Sequence, residues 1–255
     1  MPLATPMLLS AKELSLGYGN QAVAEDVTFE LASGEILAVV GHNGSGKSTL
    51  IKTLLEALPP LEGTLNWHNG RPKPIGYLGQ MTEFDSSFPI RVRDIAAMGT
   101  WPDLGLLGRV DSACRARISD ALERSGTANI ADMPLHKLSV GQLQRALFAR
   151  TMVQDAQLIL LDEPFTAVDQ TTETALLALI DKWAAEGRAI ILVLHDLSTV
   201  LRHCNSVLLL GGGCALFGPP KETLTLDNLI AHRYVTQSQG AWIEEMYGKS
   251  EKHNV

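Results

Sequence analysis

The chain has 255 residues, 45% hydrophobic and 19% charged, with 21 Lys and Arg against 28 Asp and Glu and a formal net charge of −7. This length fits one large or two small globular domains with a substantial core, and the acidic balance without a Lys/Arg-rich run argues against nucleic acid as the main partner. Cys114, Cys204 and Cys214 form no CxxC pair and suit a reducing compartment, and the longest apolar runs are too short to cross a bilayer.

The first ten residues, MPLATPMLLS, carry no charge ahead of their apolar piece, so no secretory signal is expected. Short β-type runs at 8–15, 27–31 and 63–67, separated by turn residues, predict an antiparallel sheet. Residues 36–40 are apolar throughout and lead directly into GHNGSGKST at 41–49, after which TLIKTLL favours a helix. A strand, a glycine-rich turn and a helix in this order hold the phosphates of a nucleotide. Gly41, Gly44 and Gly46 let the backbone of the loop, with His42, Asn43 and Ser45, turn its N–H groups inward. The helix start at Ser48 and Thr49 adds the positive end of its dipole. Lys47 reaches the β/γ-phosphates, and the Ser48 hydroxyl suits Mg²⁺. A plain glycine-rich turn with a surface lysine would need neither the strand before it nor the helix after it.

The stretch 84–150 breaks the alternation of strand and helix. Pro89 and Pro102 interrupt its early part, and Cys114, Ile118, Ala121, Leu122 and Ser125 after Asp111 line one face of a helix. A mostly helical insertion in an α/β core is expected. Within it, Ser139 and Gln142 of LSVGQ (138–142) fit a capping box. Either that is an ordinary cap, or Ser139, the Gly141 backbone and the helix start bind a second phosphate cluster; the capping box alone does not decide.

Residues 158–163 read LILLDE, a buried strand ending in two carboxylates. At the carboxyl end of a parallel strand, Asp162 is placed for Mg²⁺ and Glu163 for an attacking water; a solvated acidic turn is the plainer alternative. Leu176, Leu179, Ile180 and Trp183 follow at helical spacing, and the apolar runs 189–194 and 207–210 read as further strands covered on both faces. His203 beside Cys204 is no metal pair, because adjacent side chains on a helix do not converge. The polar tail at 248–255 is expected to fray.

In order and spacing these features resemble the ATP-binding cassette (ABC) family over nearly the whole chain. GHNGSGKST resembles its Walker A motif, Gln80 in GYLGQ its Q-loop, LSVGQ its signature, LILLDEP its Walker B motif, Thr166 to Asp169 its D-loop and His195 in LVLHD its switch histidine. Tyr18 stands where the family stacks an aromatic ring on adenine. The resemblance implies an α/β P-loop NTPase (RecA-like) core, with an N-terminal antiparallel β subdomain and an inserted helical subdomain at about 84–150, together forming a single nucleotide-binding domain. It also implies ATP hydrolysis through Glu163, His195, Lys47 and Gln80, with Mg²⁺ held by Ser48, Gln80 and Asp162.

In the family two subunits close around two ATP molecules, so Ser139, Val140, Gly141 and Gln142 act on the partner's nucleotide and Asp169 lies at the interface. The partners implied are a second ATPase subunit, expected to be an identical copy, a polytopic membrane permease and, indirectly, an extracytoplasmic substrate-binding protein. The expected location is the cytoplasmic face of the cell membrane, as a peripheral subunit. Family signatures usually carry two glycines where this chain has Val140 and Gly141, which implies an ordinary φ at 140.

FDSSFPIRVRDIAAMGTWPDLGLLGRVD (84–111) and LLLDEPFTAVDQTT resemble bacterial zinc and manganese importer ATPases, which implies uptake of one of these metals, zinc ahead. An iron-siderophore or haem importer comes next. Soluble cassette ATPases of translation or DNA repair carry two cassettes or a long coiled coil, whereas this chain has one Walker A motif and no heptad run.

Overall fold

The computed structural model describes residues 6–80, 89–104 and 109–239. The strands are β1 (Met7–Tyr18), β2 (Gln21–Ala32), β3 (Ile36–Gly41), β4 (Glu62–Trp67), β5 (Ile75–Leu78), β6 (Leu158–Asp162), β7 (Ala189–Val193), β8 (Ser206–Gly211) and β9 (Cys214–Gly218). The helices are α1 (Lys47–Leu54), α2 (Val92–Met98), α3 (Trp101–Leu104), α4 (Ser112–Arg124), α5 (Val140–Val153), α6 (Gln170–Ala185), α7 (Leu197–His203), α8 (Pro220–Thr223) and α9 (Leu226–Ala231). Contacts between Cα atoms group the chain into two compact units. One holds the N-terminal segment ending at Leu8, Leu31–Ile36 and Trp67–Leu194; the other holds Leu9–Glu30, Leu37–Asn66 and the chain from His195.

The expected β-type runs at 8–15, 27–31 and 63–67 form a three-stranded sheet in the order β2-β1-β4. Only two residues, Gly19 and Asn20, link β1 to β2, which allows antiparallel pairing alone. Both strands are longer than the sequence reading; β2 extends ahead of residue 27 past Asp26, which stands in left-handed backbone at φ 55°, and Glu13 within β1 does the same at φ 51°.

In the unit that carries the phosphate loop, β3 is buried along its whole length and pairs in parallel with β8, from Leu37 opposite Ser206 to Gly41 opposite Leu210. β8 turns through Gly212 and Gly213 into the antiparallel β9. A continuous apolar strand of this kind makes sense only with both faces covered.

In the other unit β5, β6 and β7 run parallel, with Asp162 at the end of β6 opposite Val193. Every residue of β6 and β7 is buried. Phe148 of α5 stacks on Trp183 of α6 with ring centroids 5.5 Å apart. On α6, Leu176, Ile180 and Trp183 are buried as the spacing predicts, but Leu179 is only half-buried and Leu177 is covered instead. Between 84 and 150 the described elements are α2, α3, α4 and most of α5, with 3-10 turns at Ala128–Ile130 and Leu135–Lys137. Val92, Ala96, Ala121, Leu122, Ala146, Ala149 and Val153 form the cluster that joins α2, α4 and α5. Its alanines let the helix axes approach closely. The polar tail at 248–255 and residues 84–88 and 105–108 of the importer-like segment lie outside the described residues. Among those described, no helix is long and apolar enough to cross a membrane.

Candidate nucleotide-binding site

β3 ends at Gly41, where a side chain has no room: a Cβ would lie 2.3 Å from both the Leu210 carbonyl oxygen and Ser45 Oγ. The loop then passes through left-handed backbone at Gly44 and Gly46, φ 83° and 102°. Gly46 caps α1 without a side chain, which keeps the helix start open to an anion. Ser45 Oγ is buried without a hydrogen-bond partner, a hydroxyl with a proton to offer an oxyanion. Lys47 is 6% exposed, and its ammonium donates to the carbonyls of Gly41 (2.7 Å) and His42 (3.1 Å), which clamps the loop on itself. Ser48 is exposed on the first turn and Thr49 is buried. His42 pairs through Nδ1 with the Asn43 carbonyl at 2.8 Å.

Tyr18, the last residue of β1, is 50% exposed, with Lys52 Nζ of α1 lying 5.7 Å from its ring centroid. Hydrogen bonds from Thr49 and Lys52 hold its phenol below the usual range. An exposed ring beside the helix that starts at the phosphate loop is where a base would stack.

His195 is exposed and its carbonyl accepts a 2.5 Å hydrogen bond from the Tyr234 hydroxyl, which fixes the backbone at this position from the chain's C-terminal part. Burial and then the Asp196 charge push the Tyr234 phenol up. Asp196 itself caps α7, accepting from Thr199 Oγ1 (2.6 Å), Ser198 Oγ (2.7 Å) and the backbone N–H groups of Thr199 and Ser198. Burial works against its charge, yet these four donors bring the carboxyl down to about 2. A depressed carboxyl adds stability above its ordinary value of 3.8 and loses it as pH falls towards about 2. Asp196→Ala is expected to cost about 1 kcal/mol, the worth of an N-cap, and to flatten the acid limb of the stability curve between about pH 4 and 2; thermal unfolding across that range checks it.

The other unit holds the carboxylates and the signature. Asp162 ends β6 and is 5% exposed. Glu163 follows in left-handed backbone at φ 50°, with its N–H on the Val193 carbonyl (3.3 Å) and Thr166 Oγ1 3.5 Å from its Oε2. A non-glycine residue held there costs about 1–3 kcal/mol and persists only under constraint from its surroundings. Asp169 caps α6, accepting from the Thr172 N–H and hydroxyl, each at 2.9 Å; the Thr172 backbone donor is the main cause of its lowered carboxyl.

The capping box at the start of α5 is formed in both directions: the Gln142 N–H donates to Ser139 Oγ (3.2 Å), and the Ser139 N–H donates to Gln142 Oε1 (2.9 Å). Val140 is the first helical residue of α5 and is not left-handed, as implied by its β-branched side chain. Gly141 packs against the D-loop cap: a Cβ there would meet Thr172 Oγ1 at 2.9 Å and Asp169 Oδ2 at 3.5 Å. Gln80 is half-buried just past β5, and within β5 the Tyr77 carbonyl accepts from Arg150 of α5 at 3.0 Å.

Four residues beside these motifs escape the sequence reading: Thr172, Arg150, Tyr234 and Gln144. Each acts through a backbone carbonyl or a cap whose location only the fold supplies. No local signal marks them, because a polar residue on a helix reads the same whether covered or solvated until the packing is known.

The ABC transporter family model matches residues 24–166. The zinc transport system ATP-binding protein TroB of Treponema pallidum is 37% identical over 212 residues, covering 81% of this chain and 79% of TroB. The manganese transport system ATP-binding protein MntB of Listeria innocua is 33% identical over 226 residues, covering 87% of this chain and 94% of MntB. Among solved structures, a metal-chelate type ABC transporter in an inward-facing conformation is 31% identical, with a TM-score of 0.81 over 90% of both chains. The α/β P-loop fold implied by the motifs is thus the fold of known cassettes, and the chain belongs to the ABC transporter family as an ATP-binding domain that hydrolyses ATP for transport.

Proposed function

We propose that this chain energises uptake of a divalent metal, zinc ahead of manganese, through a separate polytopic permease. The observation that carries the reading is 33–37% identity, over most of the chain, to ATP-binding proteins of zinc and manganese transport systems. Supporting zinc is the 37% identity of the zinc-system relative over 212 residues, against 33–34% for manganese-system relatives over 220–228 residues. A chelated iron transport system protein of Yersinia pestis, 33% identical over 228 residues, supports iron as the second reading.

In this reading the loop from Gly41 to Thr49 binds the ATP phosphates, Tyr18 stacks on the base, and Lys47 neutralises the β/γ charge. Glu163 accepts the proton of the attacking water, and His195 contacts the γ-phosphate. Ser48, Gln80 and Asp162 offer hydroxyl, amide and carboxylate oxygens, the hard donors that would hold Mg²⁺, and the ion would supply neutralisation of phosphate charge. Two copies form the working unit, each turn from Ser139 to Gln142 closing on the partner's nucleotide, with Asp169 at the interface. The pair works on the cytoplasmic face of the membrane, and a substrate-binding protein outside delivers the metal. The γ-phosphate favours the closed pair through contacts that exist only there.

Uptake of radiolabelled zinc and manganese by cells lacking this chain tests the assignment. Loss of zinc uptake, restored by the intact chain, is expected; loss of manganese uptake alone would reverse the order of the metals, and unchanged uptake of both would overturn the reading.

A further inference from the structure

Gln144 lies on the buried face of α5, between Leu143 and Ala146, and is 1% exposed. Its Nε2 donates to the Pro164 carbonyl at 2.6 Å, while its Oε1 is buried without a partner. A half-satisfied amide is a costly tenant at a position where an apolar side chain would carry no such penalty. What the amide holds explains its presence. Pro164 follows Glu163, whose left-handed φ of 50° needs restraint on both sides. On one side its N–H is tied to Val193 of β7, and on the other Gln144 ties the next carbonyl to α5.

We propose that Gln144 is a positioning residue for the hydrolytic step: by holding the Pro164 carbonyl, it keeps Glu163 in the left-handed backbone that aims its carboxylate. This rests on the reading of Glu163 as the proton acceptor. The same helix begins at the signature turn, so α5 joins that turn to the turn bearing the carboxylate in one rigid piece.

Two variants of the full chain separate the idea from mere packing. Gln144→Met keeps length and shape but removes the donor; Gln144→Glu restores a donor only when its carboxyl is protonated. Gln144→Met is expected to lower kcat about tenfold with KM and ATP affinity within about twofold. Gln144→Glu should recover relative to the unsubstituted chain as pH falls from about 9 to about 6, because burial favours its neutral form, whereas Gln144→Met should stay flat. In a Glu163→Gln background, Gln144→Met should lower the residual rate by less than about twofold, since it acts through the carboxylate already removed.

A Gln144→Met variant with native kcat overturns the proposal. So does one that loses kcat equally in both backgrounds, which would mean a structural role. If Glu163→Gln itself retains native turnover, the reading of Glu163 fails instead. Nucleotide binding and the thermal midpoint, measured alongside, show whether each variant is folded.

Discussion

Replacing Glu163 by Gln is expected to leave ATP binding within about twofold and to slow hydrolysis by about a hundred- to ten-thousandfold, the range supplied by a positioned general base. The change is nearly isosteric. The amide still fits after β6 and still accepts from Thr166, but it cannot take a proton from water. ATP then binds without being turned over, so the ATP-bound pair should accumulate and be visible by size-exclusion chromatography with ATP and not with ADP. Single-turnover phosphate release measures the slow step directly. A variant retaining near-native turnover would remove Glu163 from the chemistry and move attention to His195.

Lys47→Ala is expected to weaken ATP binding about ten- to hundredfold, the worth of charge-assisted hydrogen bonds to phosphate, and to abolish hydrolysis. The side chain has two tasks. In the proposed site its ammonium neutralises phosphate charge, and it also bridges the carbonyls of Gly41 and His42. Its loss therefore leaves one buried and one partly buried acceptor without this donor, as well as removing a charge. Calorimetric titration with ATP measures the first effect, and the thermal midpoint of the free protein measures the second. Unchanged affinity would refute the phosphate-loop assignment.

Much of the fold was legible because the chain states it locally. β3, β6, β7 and β8 are continuous apolar runs, a pattern that solvent tolerates only in a doubly covered sheet. The box of Ser139 and Gln142 is written within four residues and formed as written. β5 was missed because Ile75–Leu78 is four residues with a glycine inside, too short for any period. β9 was missed because Cys214–Gly218 is a partly exposed strand without alternation. The tether from Gln144 to Pro164 spans twenty residues of sequence, and nothing local in LQRALFAR distinguishes a buried amide from a solvated one. Reach of that kind depends on how α5 lies against the end of β6, which is a property of packing.

The tight seat of Gly141 against Thr172 changes how genetic data at this position should be interpreted. A bulkier residue at 141 must first push aside a neighbour on α6, so a dead variant there reports crowding as readily as a spoiled ligand contact. Trimming the neighbour, as in Thr172→Ala, should rescue a Gly141→Ala chain if crowding is the fault and leave it dead if the ligand is. Positions 141 and 172 are therefore sterically coupled, and a larger side chain at the first calls for a smaller one at the second.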